Sequence, residues 1–365
     1  MESMEILNIL FIVSRDKFSS GFVNYMKKHF TMYSLHFVIR DHGREQFSLN
    51  LLDYKNIYYV NEYKHILDDA NLAGLVNSAD KIVISGIFDT MDVLSRFNSK
   101  QIGKTYLQFW GGDFYGYRGK EKFYQIRHKW RKRRLIQCCS KCKGLIFLID
   151  GEYEKFKSIT HVEKKFFIAP VPGDPLAFQD IDFGVLRAQK NKTKRIVLGN
   201  SATQTNKHEE IISILADKKN EKGIGVNCPL AYGDDVYRDK IIEYGKEKLQ
   251  DAFTPITSFM PYSKYVEFLS TCDVGIFNND RQQALGNLYA LLAMGKKVYI
   301  RDDTSMWRFF IEKGIKVYPI SDIYKCRDIS ELFSKEDDIS SNMLKAENLL
   351  LSLDGKDKWE NVFSD

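Results

Sequence analysis

No stretch of the 365 residues approaches the ~20 consecutive apolar residues that a membrane-spanning helix needs. The opening segment offers only ILNILFIV, preceded by Glu2 and Glu5 instead of the basic residues of a secretory signal. A soluble, intracellular protein is therefore expected. Cysteine is sparse. Cys138, Cys139 and Cys142 cluster, whereas Cys228, Cys272 and Cys326 stand alone. With no second pair at ligand spacing, reduced thiols are expected in preference to a zinc site. Gly-x-Gly-x-x-Gly is missing after the early strands: SRDKFSSGF follows Val13 and GNSATQTN follows Leu198. That excludes the dinucleotide fingerprint of a nicotinamide oxidoreductase at either place. The triplet Asp180-Ile-Asp182 lies in polar sequence away from any strand, so a metal held by paired carboxylates is not expected, nor is any other cofactor.

What is present is a regular alternation. Residues 6–13, 34–39, 56–60, 81–85, 105–110, 144–149 and 165–171 read as strands. Between them, 19–30, 64–77, 90–97, 120–142 and 152–159 read as helices. Mostly continuous apolar strands separated by helices indicate a parallel sheet covered on both faces. Pro170-Val-Pro-Gly-Asp-Pro175 and a polar stretch to Lys194 break the pattern. A second series follows, with strands at 195–198, 225–231, 254–258, 274–277, 297–300 and 316–320. The expected division is an N-terminal Rossmann-like domain at 1–172, a linker at 173–194, a C-terminal Rossmann-like domain at 195–325 and a helical tail at 326–365. In open α/β sheets ligands bind at the carboxyl ends of the strands, which for two such domains means the cleft they would face.

Three segments at strand ends carry candidate chemistry. Gly199-Asn200-Ser201 precedes a helix, where short side chains let backbone N–H groups approach a diphosphate at the helix N-terminus. The plainer reading is a strand-to-helix turn with an ordinary cap. In the second segment, Phe277 gives way to six polar residues, Asn278 to Gln283, before the apolar helix that contains Gly286 and Asn287. Here Arg281 can pair with phosphate oxygens, Asn279, Gln282, Gln283 and Asn287 offer donors and acceptors, and Gly286 allows close approach. A solvated loop is the alternative. The third is Gln108-Phe-Trp-Gly-Gly-Asp-Phe-Tyr-Gly-Tyr-Arg118. Trp110, Tyr115, Tyr117 and Arg118 are expected to contact a sugar, and Asp113 to take a proton from an acceptor hydroxyl. A Gly-bent turn with core aromatics is its alternative, and Asp16, Asp41 and Asp89 are reserve bases near strand ends.

Net charge is only +6, but Arg118, Lys120, Lys122, Arg127, Lys129, Arg131, Lys132, Arg133 and Arg134 oppose a single Glu121. With Trp130 and other apolar residues interleaved, this reads as a helix lying on an anionic membrane surface. A solvated charged face is the plain alternative. No nucleic-acid motif accompanies it.

The segments FWGGDFYGYR, VLGNSATQTNKHEE, CPLAYGDDVY, FMPYSKYVEFLSTCDVGIFNNDRQQALGN and MWRFF, in this order, resemble glycosyltransferase family 56. These are the 4-acetamido-4,6-dideoxygalactose transferases of enterobacterial common antigen synthesis. The resemblance implies an α/β GT-B fold of two Rossmann-like domains facing a central cleft. It also implies transfer from a dTDP-linked 4-amino-4,6-dideoxy sugar to a polyprenyl-diphosphate-linked glycan. Carried over by position, Gly199, Asn200, Ser201 and the 279–287 loop would hold the nucleotide diphosphate. Tyr232 and Gly233 would lie near the base. The implied location is the cytoplasmic face of a bacterial inner membrane. A non-catalytic nucleotide-sugar or glycolipid binder, or a transferase using a UDP- or GDP-sugar, would look similar.

Overall fold

The computed structural model describes residues 6–41, 51, 55–87, 91–115, 122–171, 182–187, 193–218, 223–333, 339–352 and 355–365, with side chains for all of these except 122–129 and 131. The chain forms two compact units, one of Met1–Leu176 with Leu353–Asp365, the other of Ala177–Ser352.

In the first unit β1 (Asn8–Ser14), β2 (Ser34–Arg40), β3 (Ile57–Val60), β4 (Lys81–Ser85), β5 (Thr105–Gln108), β6 (Gly144–Phe147) and β7 (Phe166–Ile168) form one sheet in the order β3-β2-β1-β4-β5-β6-β7. Every neighbouring pair is parallel. Side chains alternate across a strand, so Leu10 and Ile12 join one core while Ile9, Phe11 and Val13 join another on the opposite face. That is why β1 reads as an unbroken apolar run. The second core is aromatic: Phe11 stacks on Phe37 with ring centroids 4.9 Å apart.

The second unit repeats the scheme. Its strands are β8 (Lys194–Leu198), β9 (Ile224–Pro229), β10 (Phe253–Ile256), β11 (Val274–Phe277), β12 (Lys297–Ile300) and β13 (Tyr318–Pro319), ordered β10-β9-β8-β11-β12-β13 and again all parallel. Each sheet therefore has one place where the winding reverses, between β1 and β4 and between β8 and β11. At such a switch point the flanking crossovers leave on opposite faces and open a crevice beyond the carboxyl ends of the strands.

Several elements differ from the sequence-based expectation, three of them in ways that shape the fold. The helix read at 64–77 is a 3-10 turn, Tyr63–Leu67, and a separate helix, Ala70–Ser78. Asp69 ends the first by accepting hydrogen bonds from Asn71 N at 2.8 Å and Leu72 N at 3.0 Å, which start the second. The strand read at 316–320 is only Tyr318–Pro319, because a helix, Ile320–Lys325, begins at once behind the proline. The stretch after 326 is not one tail. Helix Ile339–Ser352 belongs to the second unit and helix Lys356–Phe363 to the first. Trp359 of the latter is fully buried against Phe11 and Phe22, and its Nε1 donates to the Pro170 carbonyl at 2.9 Å. No described helix is long and apolar enough to cross a membrane.

Candidate functional site

The carboxyl end of β8 is built around a glycine. Gly199 has φ +69, and a Cβ there would lie 2.4 Å from His208 Nε2. The residue is thus glycine because a buried imidazole packs against it. Most of the backbone N–H groups of this turn, expected to face a diphosphate, have partners within the protein. Gly199 N donates to Ile276 O at 2.9 Å, and Asn200 N to Asn206 Oδ1 at 3.1 Å. Ala202 N donates to Tyr232 O and Thr203 N to Ser201 O, both at 2.8 Å. A buried amide takes a partner when the chain can supply one, and these four have theirs.

Side chains add to the Gly199–Ile276 backbone bond in tying this turn to the end of β11. Gln283 Nε2 lies 3.0 Å from Asn200 Oδ1, 3.1 Å from Ser201 Oγ and 3.1 Å from Thr203 Oγ1. Its Oε1 accepts from Thr205 Oγ1 at 2.7 Å. One carboxamide therefore bridges the two strand ends that border the switch point. Asn200 Nδ2 extends the network by donating to Tyr232 OH at 3.0 Å. The isolated bridge between Ala202 and Gly233 closes it, and Gly233 (φ +127) is required because a Cβ would sit 2.3 Å from the Ala202 carbonyl oxygen.

Beyond β11 the polar run is largely buried. Asn279 is fully buried, and neither its Oδ1 nor its Nδ2 has a hydrogen-bond partner among the described residues. The same holds for Oε1 of the buried Gln282. Unsatisfied buried amides cost ~1–3 kcal/mol each, so their persistence at a strand end calls for an explanation. Arg281 is half-buried, with Nη1 donating to Gln282 O at 3.1 Å. Helix Leu285–Ala293 then begins after Ala284 at φ 62, with no side chain capping it. Space opens beside Gly286, where a Cβ would find only Tyr262 Oη, at 3.8 Å. Asn287 Nδ2 donates to Tyr265 OH at 2.9 Å, and burial pushes that phenol's pKa well up, so the hydroxyl stays protonated. Tyr262 and Tyr265, from helix Tyr262–Ser270, thus join Tyr232 around this helix start. Sequence reasoning missed both tyrosines, although the segment FMPYSKYVEFL contains them.

In the first unit Asp113 is buried, and its carboxylate binds backbone rather than projecting from it. Trp110 N donates to its two oxygens at 3.1 and 3.0 Å, and Ile87 N to Oδ2 at 3.2 Å. It clamps the ends of β4 and β5 together. Tyr115 is equally internal, donating to Glu152 Oε1 at 2.9 Å beneath Phe114. Its expected contact with a sugar has no support here, because its hydroxyl serves the core. Trp110, by contrast, lines a shallow crevice open to solvent together with Val13, Ser14, Asp16, Phe18 and Ser85. The crevice lies at the switch point between β1 and β4. Tyr117, Arg118 and Asp89 lie outside the described residues, as do the side chains of Arg127, Lys129 and Arg131. On the remainder of helix Lys122–Lys141, Trp130 is 59% exposed with the Arg134 guanidinium 4.3 Å from its ring centroid, and Arg133 is exposed beside a half-buried Lys132.

The sequence profile of the family described as 4-alpha-L-fucosyltransferase, glycosyl transferase group 56, matches residues 34–355. Among solved structures, the chain is similar to Anabaena HepE in complex with UDP and glucose, at 11% identity over 98% of this chain and 100% of that one, with a TM-score of 0.64. It is similar to the E. coli structure described as trehalose-6-phosphate bound with UDP-2-fluoro glucose, at 10% identity over 98% of both chains and a TM-score of 0.61. A glycosyltransferase from Rickettsia africae matches at 11% identity over 97% of both chains, with a TM-score of 0.59. With the two parallel sheets described above, these likenesses establish the GT-B fold.

Proposed function

The chain belongs to glycosyl transferase group 56 and is a glycosyltransferase, and we propose that it moves a 4-amino-4,6-dideoxy sugar from a dTDP-sugar to a polyprenyl-diphosphate-linked glycan in bacterial surface-polysaccharide synthesis. The second unit takes the nucleotide sugar and the first takes the acceptor. The observation that carries the donor assignment is Asn279: a fully buried amide with both ends unpartnered among the described residues, in the loop that leads into an uncapped helix. The positive end of that helix dipole favours a diphosphate. The Arg281 guanidinium supplies the fork geometry for phosphate oxygens, and Tyr232 and Tyr262 offer ring faces to the nucleoside. The diphosphate leaving group is neutralised by these fixed donors, which need no reorganisation as charge develops.

Two further parts of the reading concern the first unit. Asp113, expected as the base, is assigned the task of shaping the turn that carries Trp110. The exposed Trp130 on a basic helix fits a protein that meets its lipid-linked acceptor at an anionic membrane surface on the cytoplasmic side.

The test is a thermal-shift panel of dTDP, UDP and GDP at equal concentration, because a ligand that binds only the folded state raises the melting temperature more the tighter it binds. The expected result is greatest stabilisation by dTDP. Arg281→Ala is expected to weaken dTDP binding about 10- to 100-fold, the ~1.5–3 kcal/mol of a charge-assisted hydrogen bond. Unchanged affinity in that variant removes the 278–287 loop from the donor site.

A further inference from the structure

Of the carboxylates that sequence reasoning offered as bases, three lie among the described residues, and the structure gives them different surroundings. Asp113 binds the backbone of two strand ends. Asp41 is ion-paired with Arg15. Asp16 lines the crevice between β1 and β4, and it is the one carboxylate among the residues that do.

We propose that Asp16 is the general base, and that this crevice receives the acceptor sugar carrying the attacking hydroxyl. This rests on the transferase reading above. Asp16 follows the carboxyl end of β1, where the backbone turns toward helix Ser19–His29. Its position is set locally. Phe18 N donates to Oδ1 at 2.8 Å, Ser19 Oγ lies 2.9 Å from the same oxygen, and Asp16 N donates back to Ser19 Oγ at 2.8 Å. Ser19 is in turn anchored by donating to Ser14 O at 2.6 Å. A base must hold its carboxylate at one place relative to the hydroxyl it deprotonates, and these short bonds do that.

Two aromatic rings in the lining suit a sugar. Phe18 and Trp110 have ring centroids 5.4 Å apart at 52°, giving an apolar surface of the kind that packs against pyranose C–H groups. Trp110 itself is fixed by a relay: its Nε1 donates to Ser85 Oγ at 3.0 Å, and Ser85 Oγ donates to Gln108 Oε1 at 2.7 Å. Ring and carboxylate are thus both preorganised beside one small polar-edged space.

In the step itself, the acceptor hydroxyl gives its proton to the Asp16 carboxylate as its oxygen bonds to the donor's anomeric carbon. The bond from that carbon to the phosphate oxygen breaks, and its electron pair leaves with the nucleoside diphosphate. Asp16 later releases the proton to water.

Asp16→Asn is the decisive variant, because the amide oxygen can still accept from Phe18 N while losing basicity. The expected result is a kcat for transfer lowered ~10²- to 10⁴-fold, with acceptor KM and nucleotide-diphosphate affinity close to the parent's. Transfer within about threefold of the parent overturns the assignment, as does a loss that appears in KM alone. Asp113→Asn is measured alongside; loss of transfer there at unchanged stability, with Asp16→Asn active, returns the role to Asp113. The crevice has a readout that needs no turnover: saturating hexoside without donor should quench the Trp110 fluorescence that Trp110→Phe removes. A parent protein that turns over no nucleotide sugar sinks the transferase reading, whereas absent quenching sinks the crevice.

Discussion

His208 shows how a single side chain sets local sequence requirements and a pH limit together. Its Nδ1 lies 3.2 Å from Tyr237 OH, and its Nε2 faces Gly199 in the buried interior. Burial pushes the imidazole from 6.5 down to about 3, so it stays neutral in the folded state. Between those values the unfolded chain binds a proton that the folded chain refuses. Stability from this site is therefore complete above about pH 6.5 and falls by up to ~1.4 kcal/mol per pH unit as pH drops toward 3. Urea melts at a series of pH values should show that slope, and His208→Gln, which cannot titrate, should flatten it. An unaltered slope in the variant would mean that other groups cause the acid sensitivity. Gly199 was legible as a special residue from its place after a strand, but not its reason. The imidazole that forbids a Cβ comes from the first turn of the next helix, after the chain has folded back.

Among elements, the break at Asp69 shows where periodicity stops informing. The apolar spacing from Tyr63 to Val76 suits one helix, and only the side-chain capping of Asn71 N and Leu72 N divides it. Asp69→Ala should lower stability by about 1 kcal/mol, the usual cost of a lost N-cap, in chemical denaturation. A change below a few tenths would mean that packing alone sets the boundary. The start of helix Leu285–Ala293 is the converse case. Its sequence offers no Ser, Thr, Asp or Asn at the cap, and Ala284 takes a left-handed conformation there. A helix that begins uncapped beside buried unpartnered amides is structurally costly, which is the physical reason to place a ligand at it.

For the whole molecule, the last helix matters most. Trp359 fills the aromatic core of the first unit, and Asp365 accepts from Tyr106 OH at 2.8 Å across a sequence separation of 259 residues. Trp359→Ala should destabilise the first unit by ~3–5 kcal/mol, the range for removing a buried aromatic. Nucleotide-induced stabilisation of the second unit should persist, because no donor residue is touched. A variant that melts like the parent would show that this helix only rests on the surface.

The alternation of apolar strands and helices by itself determined two doubly wound α/β sheets, since period and run length are local properties that the chain carries before it folds. It also determined the family, through motifs whose order and spacing need no tertiary context. Which carboxylate meets a crevice, which amides remain unpartnered and which unit takes the last helix were decided only by tertiary structure. Each depends on atoms brought together from distant parts of the chain. Asp113 and Asp16 look alike as residues near strand ends; what separates them is that Trp110 N and Ile87 N close on one, while the space between β1 and β4 opens beside the other.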